Sequence, residues 1–301
     1  MQRSGLPASV SIVEVGPRDG LQNEQTTLSP AQKIWLVESL VKCGLRNVET
    51  GSFVNPRWIP QMADSSEVFD GITRESGTSY AALTPNLQGL DRAMAAQASE
   101  VAVFAAASET FSQRNINCSI EESLERFLPV MQKAAIASLP VRGYVSCVLG
   151  CPYDGNIAPD TVLKVSQALL DMGCYEVSLG DTIGIGTPGS MARLLDVLVP
   201  ALGAEHLALH CHNSYGQALA NLITGLEYGV RRVDSSVAGL GGCPYATGAS
   251  GNIATEDVVY MLHGMGFDTG IDLDKLIVVG RQVCTLLERR NQSAVSQART
   301  S

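Results

Sequence analysis

Short apolar runs rich in β-branched residues recur along the chain, and longer amphipathic stretches separate them. The runs read as strands: "SIVEV" at 11–15, "NVET" at 47–50, "SYAALT" at 79–84, "EVAVFAAA" at 100–107, "VRGYVSCV" at 141–148, "YEVSLG" at 175–180, "HLALHCH" at 206–212 and "RVDSSVAGL" at 232–240. Several are apolar at both alternating sets of positions, the pattern of a parallel strand covered on both faces. Helical patterns with start and stop signals lie between them. "SPAQKIWLVESLVKCG" opens on Ser29-Pro30, has Gln32 at capping-box spacing and stops at Gly44. "SIEESLERFLPVMQKAA" opens on Ser119 with Glu122 at the same spacing, and Pro129 predicts a kink. "DTVLKVSQALLDMG" is expected to start at Asp160, "YGQALANLITGLEYG" to cover 215–229, and "DLDKLIVVGRQVCTLLERR" to cover 272–290.

Strand and helix alternate eight times, which predicts an α/β fold of the (β/α)8 TIM-barrel type. An open doubly wound sheet is the alternative, but "VGPRDGLQ" after the first strand lacks its glycine-rich fingerprint. No long linker interrupts the pattern, so one catalytic domain over 1–301 is expected, with the barrel at about 11–290. The tail "NQSAVSQARTS" is polar and is expected to fray.

Composition narrows the classes. The net charge of −9 argues against broad nucleic-acid binding, which needs clustered Lys and Arg. No apolar run is long enough for a membrane span, and "MQRSGLPASV" lacks the apolar core of a signal peptide. A cytoplasmic protein is expected. The eight cysteines contain no CxxC pair and sit mostly in apolar runs, as buried reduced thiols do.

In a barrel of this kind the chemistry lies at the C-terminal ends of the strands. Arg18 and Asp19 follow strand 1, Glu49 closes strand 2, Asp181 follows strand 6, and His210 and His212 end strand 7. The loop "GLGGCPYATGASGN", carrying Cys243, follows strand 8. His210 and His212 are two apart on a strand and so share a face. They either ligate a metal, with Asp19 completing a hard-leaning site, or line the mouth hydrogen-bonded to neighbours. Arg18 either meets an anion or pairs with Asp19 in solvent. Glu49 is expected to orient Arg18 by an ion pair, with a role as base the alternative. Asp181 carries chemistry or caps the following turn. Asp234, early in strand 8, is expected to be structural.

The segments "EVGPRDGLQNE", "GSFVNPRWIPQM", "RNINCSIEES", "RGYVSCVLGCPYDG", "YEVSLGDTIGIGTPG", "HCHNSYGQALAN" and "DSSVAGLGGCPYATGASGNIATEDVVYML" together resemble the 3-hydroxy-3-methylglutaryl-CoA lyase family, from residue 11 to about 290. "SVAGLGGCPYA" is the most specific part, the surroundings of that family's active-site cysteine. The resemblance implies cleavage of (S)-3-hydroxy-3-methylglutaryl-CoA to acetyl-CoA and acetoacetate with Mg2+ or Mn2+. It implies Asp19, His210, His212 and Asn252 as metal ligands and Arg18 as the group that stabilises the thioester enolate. It implies Cys243 as the catalytic thiol, here read as the acid that protonates the enolate carbon, and Glu256 as a supporting residue. Asp181 or a site histidine is then the candidate base for the 3-hydroxyl, and Gln22 joins Arg18 as a substrate-binding residue. Arg57, Arg114 and Arg142 are candidates for the CoA phosphates. The glycines around Cys243 are expected to let the loop close over the thioester.

Two features are expected to set the chain apart from animal mitochondrial members: a start without a transit peptide, and a C-terminal region without a cysteine, Cys284 being the last in the sequence. A bacterial, cytoplasmic homodimer without tail-thiol regulation is therefore expected. A lyase for a longer-branched hydroxyglutaryl-CoA, a Claisen synthase of the same superfamily, and a metal-binding barrel without catalysis are the alternatives.

Overall fold

A computed structural model describes residues 9–242 and 251–299 of the chain. Eight parallel strands close into a barrel in sequence order: β1 (Ser11–Glu14), β2 (Asn47–Ser52), β3 (Ser79–Leu83), β4 (Glu100–Ala106), β5 (Val141–Ser146), β6 (Glu176–Asp181), β7 (Leu207–Cys211) and β8 (Arg232–Ser235). Closure joins β1 to β8, with Ser11 opposite Arg232 and Glu14 opposite Ser235. Each predicted strand is present: six are trimmed at their ends, β2 runs two residues further than expected, and β6 is shifted by one.

The helices are α1 (Pro30–Lys42), α2 (Ser65–Gly71), α3 (Leu87–Ala95), α4 (Glu109–Ile116), α5 (Ile120–Ile136), α6 (Pro159–Asp171), α7 (Pro188–Leu202), α8 (Ala218–Glu227), α9 (Thr255–Gly264), α10 (Leu273–Leu286) and α11 (Ala294–Ala298). Both expected capping boxes form, at Ser29 with Gln32 and at Ser119 with Glu122. The α6 start is corrected by one position: Pro159 is its first residue after the N-cap Ala158, and Asp160 lies in the first turn as a favourable charge. Pro129 sits inside α5, which continues through it. The tail is packed as far as residue 299 and forms α11. Asp257 of α9 accepts hydrogen bonds from Ser293 Oγ (2.7 Å), Ala294 N (3.1 Å) and Val295 N (2.9 Å), which anchors α11.

Strand alternation divides the core in two. Outward side chains such as Val48, Val103, Val145, Leu179, Leu209 and Val233 pack under the helices in one continuous apolar layer. A smaller inner cluster holds Leu83, Ala102 and Tyr144, with Phe104 against it. The rest of the interior from β5 to β8 is polar: Arg142, Glu176, Ser178, His210 and Asp234 are all buried. Apolar packing on both faces therefore holds for β3 and β4 but not for β5, β6 and β8. Buried charge persists there because it is paired. Among the described residues, no helix is long and apolar enough to cross a membrane.

Candidate active site

The chain leaves β1 through a five-residue π-helical turn, Gly16–Gly20, that carries Arg18 and Asp19. Arg18 is buried and clamped. Its Nε and Nη2 lie 2.8 and 2.7 Å from Glu49 Oε2, and its Nη1 donates to Asp19 Oδ1 at 2.7 Å. Tyr144 presents its ring 5.7 Å from the guanidinium carbon. The expected orienting role of Glu49 thus has its geometry. Burial pushes the Glu49 carboxyl up, and the Arg18 charge only partly offsets it. Its Oε1 has no hydrogen-bond partner.

Asp19, His210 and His212 each offer a ligand atom, and the three atoms lie within 4.8 Å of one another. This is a possible metal site. His210 Nε2 is 3.7 Å from Asp19 Oδ2. Burial opposes charge on Asp19, but Arg18, then His210 and His212, outweigh it and hold the carboxyl down to about 2. Burial and the neighbouring His210 push His212 down to about 4, which leaves its ring neutral at ordinary pH. Asn252 pairs with His212 in an isolated antiparallel bridge, and its Nδ2 donates to Asp19 Oδ2 at 2.7 Å. All four residues named as metal ligands are thus together at the C-terminal mouth.

Cys243 lies outside the described residues, but the chain on either side of its loop lies within them. Gly241 (φ +103°) donates to Glu24 Oε1 at 3.0 Å, and Gly251 donates to Gly241 O at 3.3 Å. A Cβ at Gly251 would meet the Gly241 carbonyl carbon and oxygen at 2.7 Å, so only glycine permits this approach.

Other expected residues stand elsewhere. Asp181 ends β6, but register pairs it with Cys211, on the helix-facing side, while Gly180 is level with His210. Asp181 Oδ2 accepts from Gly186 N at 2.9 Å, and burial raises the carboxyl to about 6. The base role is corrected: strand alternation turns Asp181 away from the ligand cluster, and it holds the turn after β6. Arg142 is likewise corrected. It is buried inside the barrel, where Glu176 and Asp234 pair with it, and no charge is left for a CoA phosphate. Glu256 is buried behind the mouth, where its Oε2 accepts from Ala238 N at 2.8 Å. Gln22 follows the Arg18 turn, and its buried Oε1 has no hydrogen-bond partner. The seven described cysteines are all buried and unbridged.

Three residues were missed or undervalued. Glu14 lies within the β1 run with no local signal of a special role, and it receives bonds from Gly16 N and Val237 N, both at 2.8 Å. Tyr144 lies edge-on to His210, with ring centres 6.1 Å apart. Asp234 touches His210 directly. An available signal was the run of polar residues at alternate positions: 176, 178, 210 and 234 all point inward.

Residues 9–283 match the family model described as HMGL-like. The chain is 59% identical over 293 residues to the mitochondrial hydroxymethylglutaryl-CoA lyase of Gallus gallus, covering 97% of this chain and 98% of that one. A crystal structure of hydroxymethylglutaryl-CoA lyase from Pseudomonas aeruginosa superposes with a TM-score of 0.96 at 55% identity, covering 98% of each chain. An Acinetobacter baumannii HMG-CoA lyase in complex with coenzyme A and 3-methylmalate superposes with a TM-score of 0.93 at 37% identity, covering 99% of this chain and 97% of that one. With the family model matched over most of its length and a full-length relative above half identity, the chain belongs to the HMGL-like family.

Proposed function

We propose that this protein is a lyase that cleaves (S)-3-hydroxy-3-methylglutaryl-CoA to acetyl-CoA and acetoacetate, assisted by Mg2+ or Mn2+. The observation that carries the reading is the convergence of Asp19, His210 and His212 at the mouth of the barrel, in a chain of this family. The Acinetobacter relative, solved with coenzyme A and a hydroxy-dicarboxylate, supports an acyl-CoA substrate.

The donor set fits such an ion. One carboxylate, two imidazoles and the amide of Asn252 make a hard-leaning site, and Asp19 and His212 are unprotonated at neutral pH, as ligands must be. When bound, the cation supplies a Lewis acid for the substrate's hydroxyl and carboxyl oxygens.

The remaining work falls to the chain's own side chains. The 3-hydroxyl gives its proton to a site histidine and becomes the ketone of acetoacetate; the C2–C3 bond breaks, its electron pair passes to the thioester and charge builds on the enolate oxygen. Arg18, held by Glu49 and Asp19, offers a guanidinium that needs no reorientation at that moment. Cys243 then gives its proton to the enolate carbon, since a thiol with an ordinary pKa of about 8.5 is a competent acid at neutral pH. Gln22, two residues past the turn that carries Arg18, is read as a further substrate-binding residue. Asp181 and Glu256 support the turns that shape the mouth. Arg57 and Arg114, both exposed, are the remaining candidates for the CoA phosphates. The chain acts in this reading as one catalytic domain in a cytoplasmic homodimer.

A spectrophotometric lyase assay on wild type and Cys243→Ala, with and without EDTA, tests the reading. Acetoacetate should appear with Mg2+ and vanish with EDTA. No product from wild type with Mg2+ overturns the function. Full activity in Cys243→Ala overturns the role of the thiol, and unchanged metal affinity in His212→Ala overturns the ligand set.

A further inference from the structure

Behind His210 lies a buried polar group that the reaction above does not use. Asp234 of β8 is the register partner of His210 of β7, so both side chains enter the barrel at one level. His210 Nδ1 is 3.2 Å from Asp234 Oδ2. The same oxygen accepts from Ser178 Oγ at 2.7 Å and from Arg142 Nη1 at 3.2 Å, and Oδ1 accepts from Arg142 Nη2 at 2.7 Å. Arg142 is itself fixed, with Nε donating to Glu176 Oε1 at 2.8 Å and Nη1 to Tyr144 OH at 2.9 Å.

The hydrogen-bond inventory then assigns the proton. A carboxylate that already faces a guanidinium and a hydroxyl donor has no proton to give, so the His210 contact needs hydrogen on Nδ1. In a neutral imidazole that leaves the lone pair on Nε2, the nitrogen that faces Asp19. His212 differs: its Nδ1 has no hydrogen-bond partner of ordinary geometry.

We propose that Asp234, braced by Arg142 and Ser178, is a positioning residue that locks His210 in its Nδ1–H tautomer and aims Nε2 at the ion. This rests on the reading of His210 as a metal ligand. A carboxylate behind a ligating histidine sets the ring's orientation and raises its basicity, and losing it typically costs about 10–100-fold in affinity. The ion pair of Arg142 and Asp234 is thereby more than filling for the barrel. It supplies the fixed end of a chain running from β5 through β8 to β7.

The test has two arms. The chain has four histidines, so long-range 1H–15N spectra of the 15N-histidine-labelled, metal-free protein are simple to assign, using His206→Gln, His263→Gln and His212→Gln. His210 should show the Nδ1–H form with a bare Nε2. Mn2+ titrations followed by electron paramagnetic resonance should then give a Kd for Asp234→Asn about 10–100-fold weaker than wild type. A wild-type His210 in the Nε2–H form overturns the proposal, and so does an Asp234→Asn protein with unchanged tautomer and Mn2+ affinity. If Asp234→Asn does not fold, the wild-type tautomer decides alone. Wild type that binds no Mn2+ overturns the metal reading along with this one. Tight wild-type binding that Asp234→Asn leaves intact overturns only this one.

Discussion

Val237 N donates to Glu14 Oε1 at 2.8 Å, joining two residues 223 positions apart. The same carboxylate accepts from Gly16 N at 2.8 Å and, through Oε2, from Thr255 Oγ1 at 2.7 Å. One buried side chain thus ties the turn that presents Arg18 and Asp19 to the turn after β8 that leads to Cys243. Glu256 holds that second turn from the other side, through Ala238 N.

Burial, against the hydrogen bonds they accept, raises Glu14 to about 7 and Glu256 to about 8. The folded protein therefore favours their neutral forms. Their contribution to stability is complete below pH about 4.5, where the unfolded chain also binds these protons, and is lost as pH rises through about 7 and 8. Thermal melts should fall between pH 5 and pH 9. Glu256→Gln, which stays neutral throughout, should flatten that slope. An unchanged slope in the variant would count against the assignment.

Arg18 should matter to the rate more than to substrate binding. Arg18→Met removes the charge aimed at the enolate oxygen, at a cost of about 3 kcal/mol, or roughly a hundredfold in kcat. It also leaves Glu49 and Asp19 buried without their partner, so Tm should drop as well. Steady-state kinetics beside a thermal melt separate the two, and a KM effect alone would contradict the role.

Gly251→Ala should disturb the metal site without touching a ligand. The added Cβ meets the Gly241 backbone at 2.7 Å, where neither chain has a flexible side chain to move. Gly251 precedes Asn252, and its carbonyl accepts from Asn213 N at 2.8 Å, one residue past His212. Mn2+ affinity should fall about tenfold or more, by analogy with disturbed metal surroundings elsewhere. Equal affinity in the variant would mean that the close approach is incidental.

Asp257→Ala should release the C-terminal segment. It removes the acceptor for three hydrogen bonds from residues 293–295, two of them from backbone N–H groups. Roughly 1–3 kcal/mol of stability should be lost, and limited proteolysis should cut near residue 291 sooner than in wild type. Resistance equal to wild type would refute the anchoring.

The sequence by itself determined the strand count, the barrel and the convergence of Arg18, Asp19, Glu49, His210 and His212. Those follow from local signals: period-two apolar runs, capping boxes at Ser29 and Ser119, and the rule that barrel strands deliver their last residues to one mouth. Strand order placed the Cys243 loop at the mouth, but the role of Cys243 and the parts of Asn252 and Glu256 were legible only through family resemblance, because a long loop's spacing says nothing about where it returns. Tertiary structure decided the rest. Whether Asp181 faces the ligands or the helix layer depends on inter-strand register, where a single position reverses the direction of a side chain. Arg142 looked free for a phosphate and is instead enclosed by Glu176 and Asp234, from strands 34 and 92 residues away. Such pairings arise only when the barrel closes, since closure alone sets β5, β7 and β8 around one interior and requires each buried charge to find its partner there.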